Sequence, residues 1–168
     1  MAESRHTQIA AALKARFEAV TGDSGATYWY TPAKVVRIQA NDRMLADPSV
    51  GMVYAIHAGE ERHREESTGD ATAGGIMAAE AEFFVLLLRP TAAADDNPFG
   101  ADASTKAIEQ DRMVRDFLRA LFLDVTLGSL ASNIAAGSLI VDRDLEVEGW
   151  AAAEARFTVL YSYPARTP

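Results

Sequence analysis

Four residues in one polar stretch have the types that bind metal or move protons: His57, Glu60, His63 and Glu65. A helical zinc site needs two histidines one turn apart with a third ligand, whereas His57 and His63 stand six positions apart with no helical pattern around them. The spacing reads as a solvated charged loop. A second run, Asp142-Arg143-Asp144-Leu145-Glu146-Val147-Glu148-Gly149, has the alternating acids of a calcium loop, but its interleaved Leu145 and Val147 are what a half-buried strand carries. Gly69 to Gly75, GDATAGG, lacks the glycine-lysine pattern that cradles phosphate.

Nucleophilic chemistry finds no better footing. No serine lies in a nucleophile-elbow sequence, and the chain has no cysteine. Its three histidines, His6, His57 and His63, stand near one end or beside the polar stretch, poor places for an oriented base unless the fold brings distant residues together. Tyr28-Trp29-Tyr30 has rings that can stack bases, but without basic neighbours the cluster reads as a core or subunit contact. These patterns predict no catalytic residue, no cofactor and no metal.

Charge narrows the partners. A formal net charge of −8 opposes electrostatic binding to nucleic acid or an anionic membrane, since both require a basic face that displaces counterions. The lack of cysteine rules out disulfides and thiolate metal sites and fits a reducing compartment. The opening Met1-Ala2-Glu3-Ser4-Arg5-His6 lacks the apolar core of a signal peptide, and no run approaches the roughly 18 apolar residues of a membrane span. A soluble, cytoplasmically made protein is the expectation.

The elements that would position such residues follow from periodicity. With 168 residues the chain is expected to form a single domain over 1–168. Ile9, Leu13, Phe17 and Val20 recur at helical spacing and predict an amphipathic helix over Gln8 to Val20, ended by Thr21-Gly22-Asp23. Beyond the aromatic cluster and Pro32, the β-branched run Val35-Val36-Arg37-Ile38 predicts a strand, and Met52–His57 another. The stretch 58–75 contains no large hydrophobe and reads as a long loop.

Ile76–Arg89 must be a long strand stopped by Pro90, with Met77, Ala79, Ala81, Phe83, Val85 and Leu87 along one apolar face. The opposite face runs Ile76, Ala78, Glu80, Glu82, Phe84, Leu86, Leu88, polar in the middle and apolar late, so its late part needs cover on both sides. Residues 91–104 form a second long loop, and Ser104 or Thr105 caps a helix with Ile108, Val114, Phe117, Leu118, Leu121 and Phe122 on one side. Asp124 to Ala136 reads as a turn and a short helix. A strand then opens at Ser138, to continue to Val147 or break near Arg143-Asp144, and the last strand sends Ala153, Ala155, Phe157, Val159, Tyr161 and Tyr163 to one side. The order predicts an α+β fold, an antiparallel-rich sheet with two main helices packed on one face.

Taken together, IAAALKARFEAVTG, YWYTPAKVVRI, the strand pair split by a polar stretch, the helix followed by TLGSL and the closing EGWAAAEARFTVLYSYP resemble the tail terminator (tail-completion) proteins of long-tailed bacteriophages and phage-like particles. The resemblance spans nearly the whole chain and rests on element order, Leu127-Gly128 and the terminal strand ending in Tyr161–Tyr163. It implies a structural virion protein at the head-proximal end of the tail. Such a protein forms a hexameric ring, caps the tail tube, ends its polymerisation and offers the surface that joins the head connector or neck protein. DNA would pass through an acidic lumen without specific binding, and no membrane is involved.

In that setting Glu60, Glu61, Arg62, Arg64, Glu65, Glu66 and Asp70 suit a hairpin arm reaching a partner, and Phe84, Leu86 and Leu88 suit a subunit interface. Two other readings remain at this stage. One is a neck or head-completion ring protein. The other is a small α+β enzyme or ligand-binding domain.

Overall fold

The computed structural model of the chain describes residues 3–38, 51–66, 76–91, 103–145, 147 and 149–164. Two helices and five strands follow one another as α1 (Arg5–Glu18), β1 (Lys34–Ile38), β2 (Val53–Glu66), β3 (Ile76–Pro90), α2 (Ala103–Phe122), β4 (Asn133–Asp142) and β5 (Trp150–Pro164). The strands form one sheet in the order β1-β2-β3-β5-β4. β1 runs parallel to β2 and every other pairing is antiparallel, which makes this the α+β sheet that the element order predicts.

Both helices lie on one face. The Ser4 hydroxyl accepts from the Thr7 N–H and caps α1, whose Ile9, Leu13 and Phe17 follow at four-residue steps and are buried. From α2, Met113, Val114, Phe117 and Leu121 enter the same core, and from the sheet come Tyr54, Ile56, Phe83, Val85, Leu87, Phe157 and Val159. The Phe117 ring stands 5.3 Å from Phe17 and 6.2 Å from Phe157, and Tyr54 meets Phe17 edge-on at 5.6 Å, so one aromatic cluster ties both helices to the sheet.

The segment Tyr28-Trp29-Tyr30 is not a strand. It is irregular chain clamped to α2: Asp116 Oδ2 accepts from the Trp29 and Tyr30 N–H groups at 2.8 Å each, Arg119 donates to the Thr27 carbonyl, and Arg112 lies 4.2 Å over the Trp29 ring. Tyr30 gives its hydroxyl proton to Glu109, which Arg89 also engages while stacking 3.9 Å over the Tyr30 ring. Asp116 is fully buried, and burial raises its carboxyl above the ordinary range although two N–H donors pull the other way. Its Oδ1 and the buried Tyr54 hydroxyl have no hydrogen-bond partner among the described residues.

Several boundaries differ from the sequence reading. α1 starts at Arg5 and ends at Glu18 rather than spanning Gln8 to Val20, because the Ser4 cap precedes the apolar stripe by a turn. α2 starts at Ala103, so Ser104 and Thr105 lie inside the helix. The expected loop 91–104 is otherwise outside the described residues after Thr91.

No short helix forms between Asp124 and Ala136. Leu127, Gly128 and Ser129 all have positive φ, and Asp124 holds this turn by accepting from the N–H groups of Thr126 and Gly128. β4 consequently begins at Asn133, not Ser138, and it breaks after Asp142; Val147 makes only an isolated bridge to Trp150.

The largest correction concerns the stretch 58–75. Its first part is strand: β2 runs to Glu66 and pairs with β3 back to Ile76, leaving only 67–75 outside the described residues. Backbone pairing alone carries this strand, so it needs no large side chains and shows no apolar alternation. A bulge between Ala58 and Glu61 also shifts the register and breaks whatever two-residue period remained.

Candidate functional site

Strand length decides what the helices leave uncovered. β3 and β5 have 15 residues each, about 50 Å at roughly 3.3 Å per residue. α1 has 14 residues and α2 has 20, about 21 Å and 30 Å at roughly 1.5 Å per residue. The β2–β3 pair therefore continues as an arm past the first turn of α1, where Glu61 comes within 3.8 Å of His6.

The face of the sheet away from the helices is built in rows fixed by register. At one end Lys34, Val53, Leu88 and Ala152 are aligned; the next row is Val36, Ala55, Leu86 and Glu154; the third is Ile38, His57, Phe84, Arg156 and Ile140. Leu88 is buried in a small second core with Trp150 and Ala152, against which Leu86, Leu145 and Val147 pack. The double-sided cover that the sequence demands for late β3 is thus supplied at Leu88 by the chain itself. Phe84 and Leu86 are half-buried, as are Val36, Ile38 and His57, and Ile140 is 60% exposed. An apolar band runs across the open face from β1 to β3, and at β5 the charged Glu154 and Arg156 separate it from Ile140.

Phe84 is the best-held member of that band. The His57 ring lies 5.7 Å away, the Arg156 guanidinium 5.3 Å over the Phe84 ring, and Arg156 Nε donates to Glu82 Oε1 at 2.5 Å. Gly59, at the bulge, approaches so closely that a Cβ there would fall 2.7 Å from Phe84 Cε2. A bulge with a glycine lets the backbone pass over the ring without displacing it.

The seven charged residues of the predicted contact loop are divided by the same bulge. Glu60, at the bulge, pairs with Arg62 at 3.2 Å, both side chains well exposed. Glu61 pairs with Ala81, a core-facing position, and Arg62 with Glu80 on the open face, while the backbone of Arg64, Glu65 and Glu66 is aligned with Ala78, Met77 and Ile76. Asp70 lies outside the described residues.

Sequence reasoning missed the partners of Glu61. His6 and His63 stand 3.8 and 3.7 Å from Glu61 Oε2, and Tyr163 Oη is 2.9 Å from His63 Nδ1. His6 and Tyr163 are 157 positions apart, 163 less 6; the β2–β3–β5 register brings Tyr163 to His63, and the packing of α1 on the sheet brings His6 to Glu61. His57 is on the opposite face beside Phe84 and joins neither His6 nor His63. Among the described residues no group of three His, Asp or Glu side chains is placed to hold a metal ion, and no helix is long and apolar enough to cross a membrane.

This is an α+β protein whose two helices close one face of a sheet and leave an apolar band and a polar arm on offer. The sequence matches no protein-family model and no curated protein.

Proposed function

We propose that the chain is a ring-forming subunit of the tail-terminator type, a structural protein without catalysis that caps a tail tube, ends its polymerisation and joins it to a head connector or neck protein. The observation that carries this reading is the partly exposed apolar set Val36, Ile38, Phe84 and Leu86 on the helix-free side of the sheet, bordered at β5 by the charged Glu154 and Arg156. Apolar surface of this kind marks protein contact. A contact between two different patches of identical subunits closes into a ring when the rotation permits, and six copies are the number the resemblance implies. The arm at Glu60–Glu66 is the polar element that would reach the tube or connector, and the net charge of −8 suits a lumen that lets DNA pass without binding it.

The test uses a purified phage tail tube protein, taken from the same source as the chain. Adding the purified chain to polymerising tube protein should shorten the tubes, with ring-shaped density at one end in negative-stain electron microscopy. The double variant Phe84→Ser, Leu86→Ser should stay folded by circular dichroism yet lose both the ring and the length control. A wild-type chain that stays monomeric in native mass spectrometry and leaves tube length unchanged overturns the proposal.

A further inference from the structure

A sheet of order β1-β2-β3-β5-β4 ends in two edges, β1 and β4, whose outward backbone groups no strand pairs among the described residues. β4 carries a single charge in ten residues, Asp142 at its end, and Ile140 two positions before it is 60% exposed. Natural sheets blunt such an edge with charge, proline or a bulge. In β4 the Ser138 hydroxyl donates to the Ala135 carbonyl at 2.7 Å and accepts from the Thr158 N–H at 2.9 Å, which holds 136–139 out of the ladder and leaves Ile140, Val141 and Asp142 as a regular piece. We infer that this piece pairs with the β1 edge of a second copy, so that the sheets of neighbouring subunits run on into one another. The inference rests on the ring reading above and names the contact that closes the ring.

Strand directions permit the contact. β1 runs parallel to β2, β2 opposes β3, β3 opposes β5 and β5 opposes β4, so β1 and β4 point in opposite directions. Rotation about an axis along the strands preserves those directions, and β4 of one subunit meets β1 of the next antiparallel. The faces then fix the register to steps of two residues. Lys34, Val36 and Ile38 share the open face with Ile140 and Asp142, while the buried Val35 and half-buried Val141 belong to the helix side. Directly opposed residues lie on the same face. Setting the exposed Lys34 against the exposed Asp142 places Val35 against Val141 and Val36 against Ile140, one opposite-charge pair and two β-branched pairs.

Other pairings of these edges match less. A two-fold pairing of β1 with β1 centred on Val36 sets Lys34 against Ile38 and the buried Val35 against Arg37. Pairing β4 with β4 centred on Val141 sets Asp142 against Ile140. Moving β1 by two residues along β4 sets Val36 against Asp142 and Arg37 against Val141. The head-to-tail register alone joins charge to opposite charge and apolar to apolar at every position. It also supplies cover for Ile140: beside Val36 of the next subunit, Ile140 extends the set Val36, Ile38, Phe84 and Leu86 across the boundary, which Glu154 and Arg156 prevent within one chain. Three cross-strand pairs make a weak contact taken singly, and a closed ring repeats it at every boundary.

The chain has no cysteine, so engineered thiols report on this contact alone. Opposed residues of an antiparallel pair have Cα atoms about 4.5 to 5.5 Å apart, within disulfide range. On mild oxidation of the intact chain, the double variant Val36→Cys, Ile140→Cys should form a ladder of covalent multimers at least about tenfold faster than Val36→Cys, Asn133→Cys, whose second thiol is at the far end of β4. Neither Val36→Cys nor Ile140→Cys alone should form it, because head-to-tail bonding needs both. Adding Lys34→Glu to the matched pair should slow the reaction about two- to fivefold, and adding Asp142→Lys as well should restore it. A matched pair that reacts no faster than the control, or dimers formed at the matched rate by a single-cysteine variant, overturns the pairing. The ladder decides the pairing and native mass spectrometry of the wild type decides the ring: rings without a ladder overturn the pairing alone, and a ladder with unchanged tube length upholds the pairing while removing the tube-capping reading.

Discussion

The two faces of the sheet are built from the same strands and follow different rules. Alternate residues of β3 send Ala79, Ala81, Phe83, Val85 and Leu87 to the helix side, where all five are buried, while Glu82, Phe84 and Leu86 on the other side remain half-buried. The closed face is filled by helices and determines stability. The open face is an incomplete surface, covered by Trp150, Leu145 and Val147 at one end and by charged pairs at the other. Burial of comparable side chains therefore measures folding on one face and readiness for a partner on the other.

The sharpest way to break this comparison is to truncate one aromatic ring on each face. Phe117→Ala removes the ring that joins Phe17, Tyr54 and Phe157 and should cost about 4 kcal/mol, read as a drop of roughly 12 °C in Tm. Phe84→Ala should cost only about 1 kcal/mol in urea denaturation, because that ring is only partly buried. Equal losses at the two positions would mean that the open face is core after all.

Between these extremes stands the clamp on the aromatic segment. Asp116→Ala orphans the partly buried N–H groups of Trp29 and Tyr30 and should cost about 2 kcal/mol. Asp116→Asn keeps an acceptor and removes a buried charge, so it should cost about 1 kcal/mol or less. Burial raises the Asp116 carboxyl above 3.8, so the folded chain holds this proton more tightly than the unfolded one. Its contribution to stability is full at low pH and is lost as pH rises from 3.8 through the raised value. Asp116→Asn should therefore flatten the decline in Tm above that pH, and a decline that is unchanged in the variant would assign it to other groups.

The smallest effect belongs to the turn after α2. Hydrogen bonds from Thr126, first through its hydroxyl and then with the Gly128 and Thr126 N–H groups, hold Asp124 down at about 2. That contribution is present above 3.8 and disappears as pH falls toward about 2. Asp124→Asn should show a shallower fall in Tm over that acid range than the wild type, together with weaker anchoring of Arg16, which donates to the Asp124 carboxylate.

Where a side chain had to be buried, the residue pattern finds most of them. The period-two runs in β3 and β5 and the four-residue stripe of α1 name core residues that the structure buries, apart from Met77 and Tyr163 at the strand ends, which are half-buried, while Ile108 of the α2 stripe is 50% exposed. The arm escaped because Glu60 to Glu66 form a strand by backbone pairing with β3 and hold no large hydrophobe, so no hydrophobic period marks them. The turn at Leu127-Gly128-Ser129 escaped for a related reason: its shape depends on the Asp124 carboxylate and on Arg16, which comes from α1.

By itself, then, the sequence determined the class of the fold, the two helices on one face and the existence of a second apolar surface on late β3, since each is a matter of which residues avoid water. Tertiary structure decided who covers that surface and what faces Glu61. Leu88 found its cover in Trp150, 62 positions on, and Glu61 found His6 because a bulge between Ala58 and Glu61 turned Glu61 toward α1. Register and bulges are properties of paired strands, and a single chain read in order carries no local trace of them.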